Sequence, residues 1–367
     1  MAFFKLISKA DDISWRALYT YYCQSSIIVS VEGVKSREFR TTQGVKQGGK
    51  LSPYLFNYFI DELIQSNNSL NVGAQIGGIN LSTVGYCDDL ALLSPLASHM
   101  QLLLNNVAQY AVKWKMEFNP QKSSVYSVNL KFAPIFYLGQ YIIPKCESFI
   151  YLGIPIGSDS FVSEFYSDKM RRVEKSFYSL SGLGCRKNGL NPRNIAFIFK
   201  QYCQSIVKYG LENIYLTNSR LRHLNIRQNM LVKNVLGLSL YCRTKPLFQE
   251  LRIEQFSQLY SKHKVFFMKQ IEQNTLTRQL FSYLNGYYST RSPSEHSYIS
   301  QLRQVEKLTT ISTSISNYKQ LLGAIDSKYT NNDSELAQSI KNIIDSFDIV
   351  YFYRTVKLLN DNLKIVF

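Results

Sequence analysis

Apolar residues change their spacing along this chain, and the changes mark out its elements. Leu55, Phe56, Phe59, Ile60, Leu63 and Ile64 recur at helical spacing, with Ser52 ahead of them as a good N-cap and Pro53 as a good first helical residue. Ile79 to Tyr86 and Leu90 to Leu93 are apolar runs on either side of a short polar break. That pattern predicts a β-hairpin with Asp88 and Asp89 at its tip. Leu102, Leu103, Val107, Tyr110, Ala111 and Trp114 then form an apolar helical face, expected to pack under the sheet, with Trp114 as a core residue.

From residue 158 the pattern turns helical. Phe161, Phe165, Val173, Phe177 and Leu180 share one face of a first helix, with Arg171, Arg172 and Lys175 on the rest of it. A second helix starts with Asn191 as cap and Pro192 as first residue and runs towards Tyr209. A third starts near Asn218 and Ser219, carrying Leu221, Leu224, Leu231 and Val235 inward and Arg220, Arg222, Arg227 and Lys233 outward. Tyr287 to Ser294 reads as a linker. Thr309 to Ser316 reads as a strand or a polar helix. Asn331 to Glu335 opens a last helix with Leu336, Ile340, Ile343 and Ile344, and Phe347 to Tyr353 is expected to pack back on the body. Strands with helices first and helices after make the fold class α+β, with domains at 1–157, 158–285 and 286–367.

The acidic pair is the first candidate for chemistry. Side chains alternate along a strand, so the two carboxylates diverge. Burying like charges together is costly unless a cation lies between them, and hard oxygen donors suit Mg²⁺ or Mn²⁺. A solvated turn is the other reading of an Asp-Asp pair. Upstream, Gly44, Gly48 and Gly49 make a loop that lets backbone approach a ligand, with Lys46 and Gln47 placed to touch something polar.

Four segments in order then resemble the palm of reverse transcriptases, specifically the non-LTR retrotransposon and group II intron type. They are Gln43-Gly44-Val45-Lys46-Gln47-Gly48-Gly49-Lys50-Leu51-Ser52-Pro53-Tyr54-Leu55-Phe56-Asn57, the hairpin Tyr86-Cys87-Asp88-Asp89, Phe118-Asn119-Pro120-Gln121-Lys122-Ser123, and Tyr151-Leu152-Gly153-Ile154-Pro155-Ile156. The resemblance covers residues 41–156, is loose to about 265 and ends there. It implies a partial polymerase palm, an antiparallel sheet with packed helices, followed by a mainly helical thumb and connection region. Asp88 and Asp89 would be the catalytic, metal-holding pair. Gln47, Gly48 and Lys122 would line the nucleotide and template site, and Tyr151, Leu152 and Gly153 would grip the primer end. Tyr86 would either pack or touch the primer. The reaction implied is RNA-directed DNA synthesis with Mg²⁺ or Mn²⁺, an RNA template, a DNA primer and dNTPs.

One departure limits that implication. The family draws carboxylates also from an earlier strand with an Asp in a Lys-Ala-Phe-Asp-like context, and Met1-Ala2-Phe3-Phe4 offers no acid. Asp11 and Asp12 are read as connection or cap residues. Fingers are missing too, so the expectation is an N-terminally truncated domain, inactive alone. The rival reading is a non-catalytic nucleic-acid-binding remnant.

Composition narrows the class further. The chain has 367 residues, enough for two or more domains, and no run of eighteen apolar residues. Its N-terminus has no charged-then-apolar secretion pattern, so the protein reads as intracellular. Cys23, Cys87, Cys146, Cys185, Cys203 and Cys242 are scattered, as are four histidines, which argues against a disulfide framework or a zinc site. The net charge of +16 is uneven: residues 1–160 hold +2, residues 161–265 hold +12 and residues 266–367 hold +2. Clustered positive charge after a palm resembles a thumb that holds an RNA–DNA hybrid or duplex by its phosphates, with Arg171, Arg172 and Lys175 as backbone contacts.

Overall fold

The structure, a computed structural model, describes residues 10–41, 44, 46, 48–128, 134–292, 294, 297–330, 338, 341, 342 and 344. The chain divides into two compact units after Cys146. The expectations for Gln47, for the last helix from Asn331 with Leu336, Ile340 and Ile343, and for Phe347 to Tyr353 lie outside the described residues.

The first unit opens with a helix, Asp12–Cys23. Asp11 caps it, its carboxylate accepting from the Ser14 N–H at 2.9 Å, the cap role expected from sequence. Strands Ser26–Ile27 and Phe39–Arg40 pair, and inside them Ser30–Val31 pairs with Val34–Lys35. The helix Ser52–Ser69 follows, then the pair Gln75–Ile76 with Ile79–Asn80, then Thr83–Tyr86 with Asp89–Leu92. A second long helix, Ala97–Trp114, precedes three more short pairings, one of them parallel (Val125–Tyr126 with Lys145–Cys146). Two of the three bear on the two-unit division: Tyr137–Leu138 with Tyr141–Ile142 closes the first unit's core, whereas Phe149–Tyr151 with Ile154–Ile156 belongs to the second unit. Among the described residues the strands form two-stranded pairs only. The antiparallel pairing expected of the sheet is thus present as small two-stranded sheets among the described residues.

Ile60, Leu63, Leu104, Val107, Tyr110, Phe136, Leu138 and Ile143 make the first core. Leu102 is about half exposed and Leu104 takes its place inward, so the helical face is rotated by part of a turn from the sequence reading. Trp114 packs as expected, its ring 5.5 Å from Phe59, while the Tyr110 hydroxyl donates to the Phe59 carbonyl at 2.6 Å.

The second unit is helical after its hairpin. Ser158 caps the helix Asp159–Ser179, and Val173 and Phe177 on its inner face are fully buried. Asn191 caps Pro192–Ile198 as the sequence predicts. A π-turn over Phe199–Cys203 interrupts its continuation to Ser205–Lys208. Helices Asn218–Leu236, Thr244–Glu250, Phe256–Gln273, Thr275–Ser289, Tyr298–Thr309 and Tyr318–Tyr329 follow among the described residues. Thr309 to Ser316 is neither strand nor polar helix: it ends one helix and leads through irregular chain into a short 3₁₀ turn at Ile315–Asn317. The expected linker likewise begins later, since Tyr287 and Tyr288 are still helical.

Of the basic residues expected to face outward, Lys233 is buried and Arg227 is half-buried against an acid. Arg227 reaches Glu174 with two nitrogens, at 3.0 and 2.8 Å, and Lys233 is 7 % exposed with its ammonium donating to the Leu240 carbonyl at 2.8 Å. A bidentate pair and a loop carbonyl beyond the helix satisfy cations that helical spacing alone places in water.

Candidate functional site

The acidic residues sit on a hairpin with a two-residue turn. Tyr86 pairs with Asp89, so Cys87 and Asp88 form the turn, and Cys87 takes the left-handed conformation, φ +52°. A positive φ at the first turn residue suits the twist of paired strands. Thr83, Gly85, Leu90 and Leu92 lie on one face, because Thr83 is opposite Leu92 and Gly85 opposite Leu90. That face meets the helix Ser52–Ser69. The Asn67 side chain donates to the Thr83 hydroxyl at 3.0 Å, and a Cβ on Gly85 would stand 2.9 Å from Ile64 Cδ1. Tyr86 and Asp89 share the opposite face. Asp88 and Asp89 are both exposed, and Tyr86 is 62 % exposed. Both carboxylates thus stand in open solvent, on a hairpin whose glycine lies close against the helix.

The glycine loop feeds that same helix. Gly44 and Gly48 have φ of +87° and +80°. Open space surrounds the Cβ position of Gly48, which leaves its backbone approachable. Ser52 does not cap the helix as expected. Leu51 occupies the cap position, and the Ser52 hydroxyl donates instead to the Lys46 carbonyl at 2.6 Å, tying the loop down from inside. Lys46 lies over the Tyr21 ring, 3.7 Å from its centroid. Farther along, the Asn119 carboxamide accepts from the N–H groups of Gln121 and Lys122, at 2.9 and 3.3 Å, an Asx turn that presents Lys122 to solvent. Asp61 and Glu62 are engaged on the surface, with Gln65 and Lys113 respectively. Asp12 pairs with Arg16.

Tyr151, Leu152 and Gly153 belong to the second unit, on the hairpin Phe149–Tyr151 with Ile154–Ile156. Its turn residues Leu152 and Gly153 both have positive φ, +49° and +76°. Tyr209 closes over that turn: its hydroxyl donates to the Leu152 carbonyl at 2.8 Å, and a Cβ on Gly153 would meet its ring at 2.8 Å. Lys169 in turn donates to the Tyr209 carbonyl at 2.7 Å. Burial, with Arg172 adding and Glu212 opposing, pushes the Lys169 pKa down to about 8. Lys169 and Tyr209 were missed in the sequence. The signal for Lys169 is its spacing, since it follows Tyr166 by three and precedes Val173 by four on the buried face. Arg171, Arg172 and Lys175 are exposed on the same helix, Arg171 with Asp168 at 3.1 Å.

Hard, exposed oxygens at Asp88 and Asp89 fit Mg²⁺ or Mn²⁺ by donor type. Among the described residues no group of three or more His, Cys, Asp or Glu could hold a metal, so the pair supplies two carboxylates and no third. All six cysteines are free thiols. No helix among the described residues is long and apolar enough to cross a membrane.

A hairpin of this kind behind a glycine loop and helix has a counterpart in a known family. The model of the reverse transcriptase (RNA-dependent DNA polymerase) family matches residues 2–156, so this part of the chain is a reverse-transcriptase domain. Its relatives give the type. The chain is 29 % identical over 162 residues to the Pol polyprotein of the type-2 retrotransposable element R2DM of Drosophila melanogaster, 40 % of this chain and 15 % of that protein. It is 27 % identical over 233 residues to the Pol polyprotein of the type-1 element R2 of Popillia japonica, 60 % of this chain and 31 % of the relative. It is 24 % identical over 268 residues to the RNA-directed DNA polymerase of the mobile element jockey of Drosophila melanogaster, 69 % of this chain and 28 % of the relative. Residues 2–156 are thus a reverse transcriptase-like domain of the non-LTR retrotransposon type. The chain spans less than a third of the length of each of these relatives.

Proposed function

We propose that the chain contributes palm and thumb to RNA-directed DNA synthesis, with the palm at residues 1–157, a basic helical thumb and connection at 158–285 and a mainly helical C-terminal region at 286–367. The observation that carries this reading is the Asp88–Asp89 hairpin, exposed at its tip and seated on the helix that the glycine loop feeds. Asp88 and Asp89 would hold divalent ions, Mg²⁺ or Mn²⁺, with Asp88 the principal ligand. When bound, such ions lower the pKa of a primer 3′-hydroxyl and offset charge in an in-line displacement. Gln47 and the open backbone at Gly48 line the nucleotide and template, and Lys122 stabilises phosphate charge. Tyr151, Leu152 and Gly153 support the primer end. Arg171, Arg172 and Lys175 take the backbone phosphates of an RNA–DNA hybrid.

Two carboxylates leave a pair of ions short of ligands, so residues 1–367 tested alone are expected to give no extension of a DNA primer on an RNA template with dNTPs. Titration with Mn²⁺ should reveal one weak site that Asp88→Asn abolishes. A tight site surviving that change would place the metal elsewhere. Primer extension lost on Asp88→Ala would show that a further acid completes the set. Hybrid binding should weaken steeply with salt, and changing Arg171, Arg172 and Lys175 together to Glu should flatten the log–log slope by up to about 2.7, at ~0.9 per phosphate contact.

A further inference from the structure

Within the second unit two clefts share one lysine. The first is lined by Lys200, Lys208, Lys245 and Arg252, along with Glu254 and Asp326. Its two acids are already taken: Lys262 reaches Glu254 and Asp326, each at 2.5 Å, and Gln258 donates to Asp326 at 2.7 Å. Among the described residues none of the four lining cations forms an ion pair. Buried glutamines fix the cleft wall, since Gln204 and Gln228 both donate to the Glu254 carbonyl, at 2.7 and 2.9 Å. Lys200 stands on the π-turn Phe199–Cys203, a distortion that recurs at functional sites.

The second cleft, about 580 Å³, continues from Lys208 with a different lining. Phe266 is 40 % exposed, with its ring 5.7 Å from Tyr318 and 6.2 Å from His263. Lys269 lies 4.6 Å over the Tyr318 ring. Glu212, the acid in this cleft, is occupied by His263 Nδ1 at 3.3 Å. The first cleft offers cations outside any ion pair with half-buried Tyr329 on its wall, and the second sets exposed Phe266 and half-buried Tyr318 beside Lys269.

We propose that these clefts form one binding track for a single-stranded nucleic acid, with phosphates at Lys200, Lys208, Lys245 and Arg252 and bases stacked on Phe266 and Tyr318. Unpaired strands are bound by this combination, a cationic groove that follows the backbone and aromatic faces that take bases of any sequence. A duplex keeps its bases stacked inside and has no use for the rings, and an acidic peptide would use the cations alone. The track is therefore separate in kind from the exposed Arg171, Arg172 and Lys175 face proposed for a hybrid.

The test is fluorescence anisotropy of the full 367-residue chain at low salt, with 12-nucleotide U-rich RNA, the same DNA strand and a 12-base-pair duplex. Lys245→Glu with Arg252→Glu should weaken both single strands at least tenfold and the duplex less than twofold. Phe266→Ala should weaken the single strands by about five- to hundredfold, the range for losing one stacked base, again sparing the duplex. Phe266→Leu keeps the bulk without the π-face and should give the same loss if the alanine variant does not fold. RNA and DNA strands binding alike would assign the track to phosphate and base stacking; RNA alone would add a contact to the 2′-hydroxyl. Three results would overturn the proposal: no single-strand binding by the unaltered chain, equal losses on single strand and duplex, or a Glu-rich 12-residue peptide displacing the RNA at equal concentration while Phe266→Leu has no effect. A failed hybrid assay with intact single-strand binding would sink the proposed function and leave the track standing.

Discussion

The two units solve the burial problem to different degrees. The second unit closes two apolar clusters, with Phe177, Phe199, Phe256, Met268, Leu321 and Ile325 essentially out of water. The first closes one small cluster and leaves Ile13, Val31, Val34, Phe39 and Tyr54 half or more exposed. Interior packing is what holds a domain without help, and exposed contiguous apolar surface marks a place made to be covered. The second unit exposes large side chains as well, Tyr202, Tyr209 and Tyr241 among them, so what separates the two is the size of the buried core.

The strongest way to break this contrast is to separate the units. Residues 147–367 expressed alone should melt in one cooperative calorimetric transition, whereas residues 1–146 alone should show none and should bind a dye for exposed apolar surface. Next in size is Phe177→Ala, which removes a fully buried ring and should destabilise the second unit by about 3–5 kcal/mol, read from chemical denaturation. Loss below ~1 kcal/mol would mean that its cavity collapses and that packing there is loose.

A pH series sharpens the contrast in another way. Lys264 is wholly buried, donating to the Glu212 and Ile214 carbonyls, and burial pushes its pKa down to about 7, with Glu212 opposing. Between about 7 and the ordinary 10.5, the unfolded chain holds a proton that the folded one has released, so stability rises with pH, by at most ~1.4 kcal/mol per unit. Below about 7 both forms carry the proton and this contribution is flat at its least favourable. Lys264→Met should remove the slope; an unchanged slope would assign it to other groups. Smallest is Gly85→Ala, which sets a Cβ against the movable end of Ile64 and should cost no more than about 1 kcal/mol, the low end for overpacking, visible as slightly lower hydrogen-exchange protection at Thr83 to Leu92.

Local rules carried far in reading this chain, and where they failed the reasons were three-dimensional. The Asn191–Pro192 start and the acidic hairpin follow from cap and turn chemistry, which acts within four residues. Ser52 has the right chemistry for a cap, yet the Lys46 carbonyl six residues upstream competes for its hydroxyl and wins. Arg227 and Lys233 look like surface residues because nothing nearby in sequence announces Glu174 or the Leu240 carbonyl. The four motifs place the candidate site residues in order, but not Lys169 or Tyr209, whose partners lie 40 and 57 residues apart. Pairing of the strands was legible only hairpin by hairpin, because the apolar pattern fixes register within a pair and says little about which pairs join.

The Glu254 carbonyl has a kinetic meaning as well. It receives amides from Gln204 and Gln228, contacts spanning 50 and 26 residues, and both glutamines are sealed from water. A glutamine amide that leaves water before its acceptor is in place forfeits hydrogen bonds it cannot recover, so this corner is disfavoured half built. The three segments must arrive together, and the segment around residue 254 is expected to be among the last parts of the second unit to lock during refolding and among the first to release when the unit is pulled or heated.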